Sequence, residues 1–388
     1  MRGAIVGPLL RIATTALLFD ALVPLAPFLA SQTGQTDAAV QIAIATGITV
    51  FAVAQLWAAP LLRRTGLRVG MVASSGCLAS LGLMVVLLPR SAGALLLLVA
   101  MFLANAPGSV AARAMLRNAL DHASYQCVIG RLYAALEGFE VILPFAVISA
   151  ATAFDWRGPF LVICLAVLVA MVPACLRPEQ GESPHETSGP GGRSLLRERN
   201  FLAPALLMML IQGSFTAVAL AKPAILLQAL RFTPLQLEST LSALALLMVA
   251  GFHASSRLTS VMSDRARIRL GLFFQCGAAA AFLFSAVVPD TRIFVCGCAL
   301  AALAYCALLP VLHALAIDLP GPARIDASAW LGFLQGGGSG FIVLVGSMLA
   351  LPALTRLAWT VTVCSVFALL IASAFLRHTG HRKFTQAA

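Results

Sequence analysis

Four charged side chains interrupt apolar stretches in the first half of the sequence: Asp20, Arg113, Glu137 and Glu140. An ionised group in such a setting costs roughly 2.5–3.5 kcal/mol on membrane-insertion scales, so each needs a partner or a task. Glu137 and Glu140 are three residues apart and share one face of a helix. Two carboxylates on one face repel, and one proton relieves the repulsion, so the chemistry they offer is reversible proton exchange. Counted from the ends of their runs, Asp20, Arg113 and Glu137 fall at comparable depth, which predicts a buried acid–base cluster. The structural alternative is a permanent pair of Arg113 with one acid, or an Arg113 that snorkels to a polar face. Lys222, ahead of Pro223, either snorkels or meets an anionic ligand. His253 and His313 are single histidines on apolar helices and read as core residues before proton relays. Gln55, Gln212, Gln335 and Asn105 are neutral hydrogen-bonding groups that line a cavity or join helices.

Other chemistry is missing from the sequence. It has no Gly-x-Ser-x-Gly elbow, no His-Glu-x-x-His and no Walker loop, so neither an enzyme nor an ATP-driven pump is expected. Gly336-Gly337-Gly338 with Gly340 follows no strand and reads as a close-packing or hinge segment rather than a phosphate loop. The nine cysteines lie in apolar segments, and the Cys296/Cys298 spacing suits no zinc knuckle. No metal and no cofactor are expected.

The elements that must position these groups follow from composition. The chain has 388 residues, 60% of them apolar and 11% charged, against roughly 25% charged in an ordinary soluble domain. About 20 apolar residues, rising about 1.5 Å each, cover the ~30 Å hydrocarbon core, and runs of that length recur along nearly the whole sequence. In lipid the backbone must satisfy its own hydrogen bonds, and runs without alternation exclude barrel strands, so the spans are helices. The runs predict spans near 8–30, 38–61, 68–88, 92–118, 127–153 and 157–176, then 200–229, 237–256, 268–289, 292–317, 326–351 and 355–376. The expected organisation is a six-helix half over 1–176, a polar linker over 177–199, and a second six-helix half with a short tail over 200–388. Asp20 within the first run favours an uncleaved first helix over a signal peptide.

The net charge of +11 is not a nucleic-acid patch. With both termini and the linker on one side, 19 of the 26 Lys and Arg residues flank spans on that side and five on the other; Arg113 and Lys222 lie within spans. That bias predicts a multi-pass protein of a bacterial inner membrane with both termini cytoplasmic. Asp121-His122-Ala123-Ser124 before the fifth span echoes Ile325-Asp326-Ala327-Ser328 before the eleventh, a trace of internal duplication. Duplicated six-helix halves are a layout of secondary transporters.

Taken together, the residues resemble the major facilitator superfamily, and within it the Bcr/CflA-like drug:proton antiporters. The resemblance rests on Asp20-Ala21-Leu22-Val23-Pro24-Leu25-Ala26-Pro27, Gln55-Leu56 with Pro60-Leu61, Ala112-Arg113-Ala114-Met115-Leu116-Arg117-Asn118, Trp156-Arg157, Lys222-Pro223, Pro234-Leu235-Gln236, and Ala327-Ser328-Ala329 through Gly332 and Gln335. It implies the major facilitator fold, a monomer in the lipid bilayer, and a small-molecule substrate exchanged for protons, as in multidrug efflux. Asp20, Glu137 and Glu140 would couple protons; Arg113, Lys222, Gln55 and Gln335 would bind substrate or pair charges. Pro24, Pro27, Arg63, Gly66 and Pro144 would serve the conformational change. Three departures stand out. The loop after the second span reads Ala59-Pro60-Leu61-Leu62-Arg63-Arg64-Thr65-Gly66-Leu67, with Arg63 where the superfamily has an Asp that locks one conformation. Only Pro144 remains of the fifth span's antiporter motif. The arginine usual early in the fourth span is missing. The expectation is proton-coupled export of a small amphipathic compound, a drug or secondary metabolite. The alternatives are an importer or uniporter of a siderophore or other anionic solute, and a non-transporting sensor or enzyme.

Overall fold

Every element among the described residues is helical. The computed structural model describes residues 2–87, 93–154, 157–175, 195–319, 321 and 323–385, so the expected linker lies outside the described residues up to 194. Before it come α1 (Arg2–Thr33), α2 (Asp37–Thr65), α3 (Leu67–Leu87), α4 (Gly93–Ala119), α5 (His122–Phe154) and α6 (Gly158–Cys175). After it come α7 (Arg199–Ala224), α8 (Pro234–Leu258), α9 (Asp264–Val287), α10 (Thr291–Ala316), α11 (Ala323–Phe333), α12 (Ser339–Ser347) and α13 (Ala353–Thr385). A π-helical turn, Ile225–Ala229, extends α7, and a second one, Leu334–Gly338, joins α11 to α12. The expected eleventh span is therefore two α-helices around a π-turn over Ala323–Ser347. Among the described residues ten segments are long and apolar enough to cross a membrane, and α6 adds a shorter apolar helix, Gly158–Pro173. The 33-residue α5, which carries Arg131, Glu137 and Glu140, is not one of the ten.

Polar side chains set the helix starts. Thr36, Thr233 and Ser263 accept from the backbone N–H groups of Ala39, Gln236 and Ala266, satisfying donors that a first turn leaves open. Gln236 returns a bond to the backbone of Thr233, completing a capping box. Gly66 ends α2 at φ 85, a left-handed conformation that costs a glycine little, so α3 starts at the next residue.

Residues cluster into two compact units. The first comprises 1–121, 139–192 and 317–333; the second comprises 122–138, 193–316 and 334–388. The first unit thus holds most of the helices before residue 177 and the second most of those after 193, and each takes in one stretch from the other side of that division. The exchanged stretches are the first part of α5 and the whole of α11 with the turn before it. In α5 the change of unit falls between Gly138 and Phe139, and at α11 it falls where the helix gives way to the π-turn.

In the first unit α1 packs on α4 and α6, α3 on α4 and α6, and α2 on α4, while α11 packs on α2 and α4. Its core is built on Leu18, Leu22, Phe102 and Phe160, and the Phe19 ring meets Phe51 and Phe102 edge-on at 5.0 Å each. The small residues Ala111, Ala112 and Ala114 let α4 approach its neighbours closely, as helix contacts in lipid favour. In the second unit α7 packs on α10, α12 and α13, α9 on α10 and α13, and α8 on α10. Phe282, Phe294 and Val361 centre its core. Outside the cores, Trp57, Leu96 and Phe273 present apolar surface, which suits a lipid neighbour.

Arg11 departs from its place among the flanking cations: it is 1% exposed inside the first unit. Its guanidinium donates to Thr15 Oγ1 at 3.0 Å, Ser74 Oγ at 3.3 Å and the Asn105 carbonyl at 3.2 Å, tying α1 to α3 and α4. Gly108 makes the approach feasible, since a Cβ there would lie 2.6 Å from Arg11 Nε and from Ser74 Oγ. Gly108→Ala should therefore cost about 1–3 kcal/mol through overpacking. Thermal unfolding of the purified protein should show a clear fall for Gly108→Ala and none for Gly76→Ala, whose added methyl meets nothing within 4 Å.

Candidate functional site

In the first unit α11 is docked by a ladder of polar contacts. Arg63, at the end of α2, donates from Nη1 to Asp326 Oδ2 at 2.7 Å. The Asp326 side chain is 3% exposed and that of Arg63 32%. Arg117 pairs with Asp318 and donates to the Leu120 carbonyl at 2.6 Å. Arg324 donates to the Asn118 side chain, and Ser328 Oγ donates to the Val110 carbonyl at 3.2 Å. Furthest along α11, the backbone of Gly332 lies against Arg113 and Gln55, where Arg113 donates to Gln55 Oε1.

In the second unit the first stretch of α5 is docked by a comparable set. His122 Nε2 lies 2.8 Å from Asp264 Oδ2, and Gln126 Nε2 donates to Asp264 Oδ1 at 3.0 Å. Arg267 donates to Gln126 Oε1 and, at 3.2 Å, to Ser255 Oγ. The two sets have opposite polarity. The acid Asp326 of α11 meets a base at the end of α2, whereas the base His122 of α5 meets an acid at the start of α9. Arg63, which replaces the usual acid, is thus matched by an acid on the helix it holds.

Two further polar groupings occur among the described residues. In the first unit Asp20 on α1 and Glu140 on α5 are within electrostatic reach of one another. In the second unit Tyr305 Oη donates to Gln212 Oε1 at 2.8 Å, and Gln335 Nε2 donates to the same oxygen at 3.1 Å. His313 Nε2 stands 3.0 Å from Gln335 Oε1, so with the amide oriented this way the imidazole must donate. Phe215 stacks on Tyr305 at 4.3 Å, nearly parallel, and Phe252 meets Tyr305 edge-on. Glu137 is buried with this group, its charge acting on Tyr305 and Cys306. The π-turn Leu334–Gly338 presents Gln335 to Gln212 and His313, a use of the π-bulge that recurs at functional sites.

The expected residues are therefore brought together in part. Gln55 joins Arg113, Asp20 joins Glu140, and Gln335 joins Gln212 and His313. Glu137, in the second unit, acts on Tyr305. Lys222 lies near enough to Cys298 for its charge to act there. Gly66 sits in the turn between α2 and α3. Pro24 and Pro27 fall within α1 and Pro144 within α5, but their side chains lie outside the described residues. No cluster of three His, Cys, Asp or Glu side chains suited to a metal occurs among the described residues. Sequence reasoning did not single out Tyr305, Asp326, His122, Asp264 or Arg267 as site residues. The echo between 121–124 and 325–328 was the available signal for two of them, because it marks His122 and Asp326 as equivalent positions.

Residues 10–342 match the profile of the Major Facilitator Superfamily. The chain belongs to the major facilitator superfamily. Among solved structures it is similar to the human organic anion transporter MFSD10, at 16% identity over 96% of this chain and 99% of that one, with a TM-score of 0.74. A bacterial homologue of the iron transporter ferroportin, captured outward-facing with soaked iron, is 14% identical over 97% and 98% of the two chains, with a TM-score of 0.75. The E. coli fucose:proton symporter is 15% identical over 94% and 98%, at 0.70. At such identities the likeness is one of fold. A search of curated protein sequences gave no match. As a member of the major facilitator superfamily the protein is a multi-pass membrane transporter and not an enzyme.

The Arg63–Asp326 pair supports a charge-exchange experiment. Arg63→Asp leaves a nearly buried Asp326 facing a second acid; breaking a buried pair costs roughly 3–5 kcal/mol, and the part-exposed arginine puts this one at the low end or below it. Acrylamide quenching of Trp330, which lies on α11, should rise in Arg63→Asp. It should return towards the wild-type value in the double variant Arg63→Asp with Asp326→Arg.

Proposed function

We propose that this transporter exports a small amphipathic compound, a drug or secondary metabolite, in exchange for protons, by alternating access. Twelve spans in a bacterial inner membrane, with both termini and the linker in the cytoplasm, complete the reading, and the working unit is a monomer. The observation that carries proton coupling is the proximity of Asp20 and Glu140, two acids on different helices of one unit. Their repulsion makes the unit prefer a state in which one of them holds a proton, and a proton biases a conformation only by such differential affinity. The resemblance of Asp20-Ala21-Leu22-Val23-Pro24 to the Bcr/CflA pattern favours the antiport direction.

Alternating access is supported by the exchange of α11 and the first part of α5 between units. Each exchanged stretch combines apolar contacts with an ion pair whose partners include a part-exposed one, a contact that solvent can take over when the cytoplasmic side opens. Gly138 and the glycines of the π-turn lie where the two stretches change unit, places at which a helix bends readily.

Purified protein in liposomes with an internal pH dye should show proton flux on addition of a transported compound, from a panel that includes cationic ethidium and anionic fluorescein. Asp20→Asn should lower that flux at least about tenfold, a barrier change of roughly 1.4 kcal/mol or more, while thermal unfolding stays near wild type. Full coupled flux in Asp20→Asn would remove Asp20 from the proton path. Accumulation of the compound in right-side-out rather than inside-out vesicles would replace export with import.

A further inference from the structure

The geometry at Gly332 points to a positioning residue for transport. We propose that the missing side chain at Gly332 is what aligns Gln55 and Arg113, so that docking of α11 and the orientation of these two groups are one event. This rests on the transport reading above and adds a residue to it.

The Cα of Gly332 faces the amide of Gln55 and the guanidinium of Arg113 so closely that a Cβ would overlap Gln55 Oε1 and contact an Arg113 Nη. Both obstructing atoms are the far ends of flexible side chains. A methyl group there would turn Gln55 and Arg113 aside and leave the helices where they are. Arg113 is buried, and the bond it donates to Gln55 joins α4 to α2 directly beneath α11. The remainder of the seat is already fixed. Ser328 Oγ donates to the Val110 carbonyl one turn before Gly332, and Asp326 holds Arg63. Immediately after Phe333 the chain leaves this unit, so Gly332 is nearly the last residue through which the first unit senses α11. Undocking of α11 uncovers Gln55 and Arg113 together; docking confines both.

Four forms of the full-length protein test this: wild type, Gly332→Ala, Gln55→Ala and the double variant. Gly332→Ala is expected to lower the thermal midpoint by about 2–4 °C in the wild-type background. It is expected to lower it clearly less in Gln55→Ala, where the methyl meets only the far end of Arg113, which can turn into the space that Gln55 leaves. Acrylamide quenching of Trp330 should match wild type in Gly332→Ala, since α11 stays docked. In liposomes, whichever of ethidium or fluorescein the wild type carries should show an apparent KM raised about fivefold in Gly332→Ala, with the maximal rate within about twofold. Equal midpoint changes in both backgrounds would overturn the proposal, and so would an unchanged KM or a rise in Trp330 quenching. If the wild type moves neither dye, the transport reading loses its support for these dyes, and the midpoint comparison with Trp330 quenching still decides whether Gly332 acts through Gln55.

Discussion

A hydrocarbon interior accepts no unpartnered polar group, and the rest of this structure follows from that constraint. Backbone groups answer it by closing into helices, which is why every described element is one. Side chains answer it in three ways. Arg11 is wrapped by hydroxyls and a carbonyl, Arg113 donates to an amide, and Gln275 donates to Ser214 and Ser365. Each arrangement fixes the relative position of at least two helices. Polar contacts of this kind set the register of the helix packing.

The same constraint separates contacts that stay from contacts that can be released. Arg11 and Gln275 are buried among neighbours of their own unit and read as permanent fasteners. The contacts that hold α11 and the first stretch of α5 are different: Arg63 and the His122–Asp264 pair are part-exposed, at helix ends. An ion pair with one partner near water is cheap to break and to remake, because solvent takes over the charge when the partner leaves. A transporter needs that property where segments change neighbours.

Polarity reversal between the two docked stretches gives the departure at Arg63 a physical account. An arginine in place of an acid would leave the second-span loop without its lock if the facing helix were unchanged. Asp326 supplies the complementary charge, so the contact survives with its signs exchanged. The equivalent contact on the other exchanged stretch, His122 with Asp264, has the opposite arrangement of acid and base. Charge is used at a comparable place on both docked stretches, and the sign at each place suits its local partner.

The helices, their order, their approximate ends and the class of protein were legible in the sequence, because helix in lipid is a local consequence of apolar length. The predicted start of the fifth span at 127 and of the eleventh at 326 fall within a few residues of the helices seen, and the buried charges were visible by their rarity. Their partners were not. Glu137 and Glu140 share a helix face, yet one acts on Tyr305 and the other on Asp20, and the helix changes unit between Gly138 and Phe139. Gln335 was legible as a polar group, but its bonds to Gln212 and His313 depend on a π-turn that no periodicity announces. Asp326 looked like one half of a faint repeat until folding placed it 2.7 Å from Arg63, more than two hundred residues away. Which helix a span becomes is decided by its own residues; which charge meets which is decided by non-local packing, and only the tertiary structure holds that information.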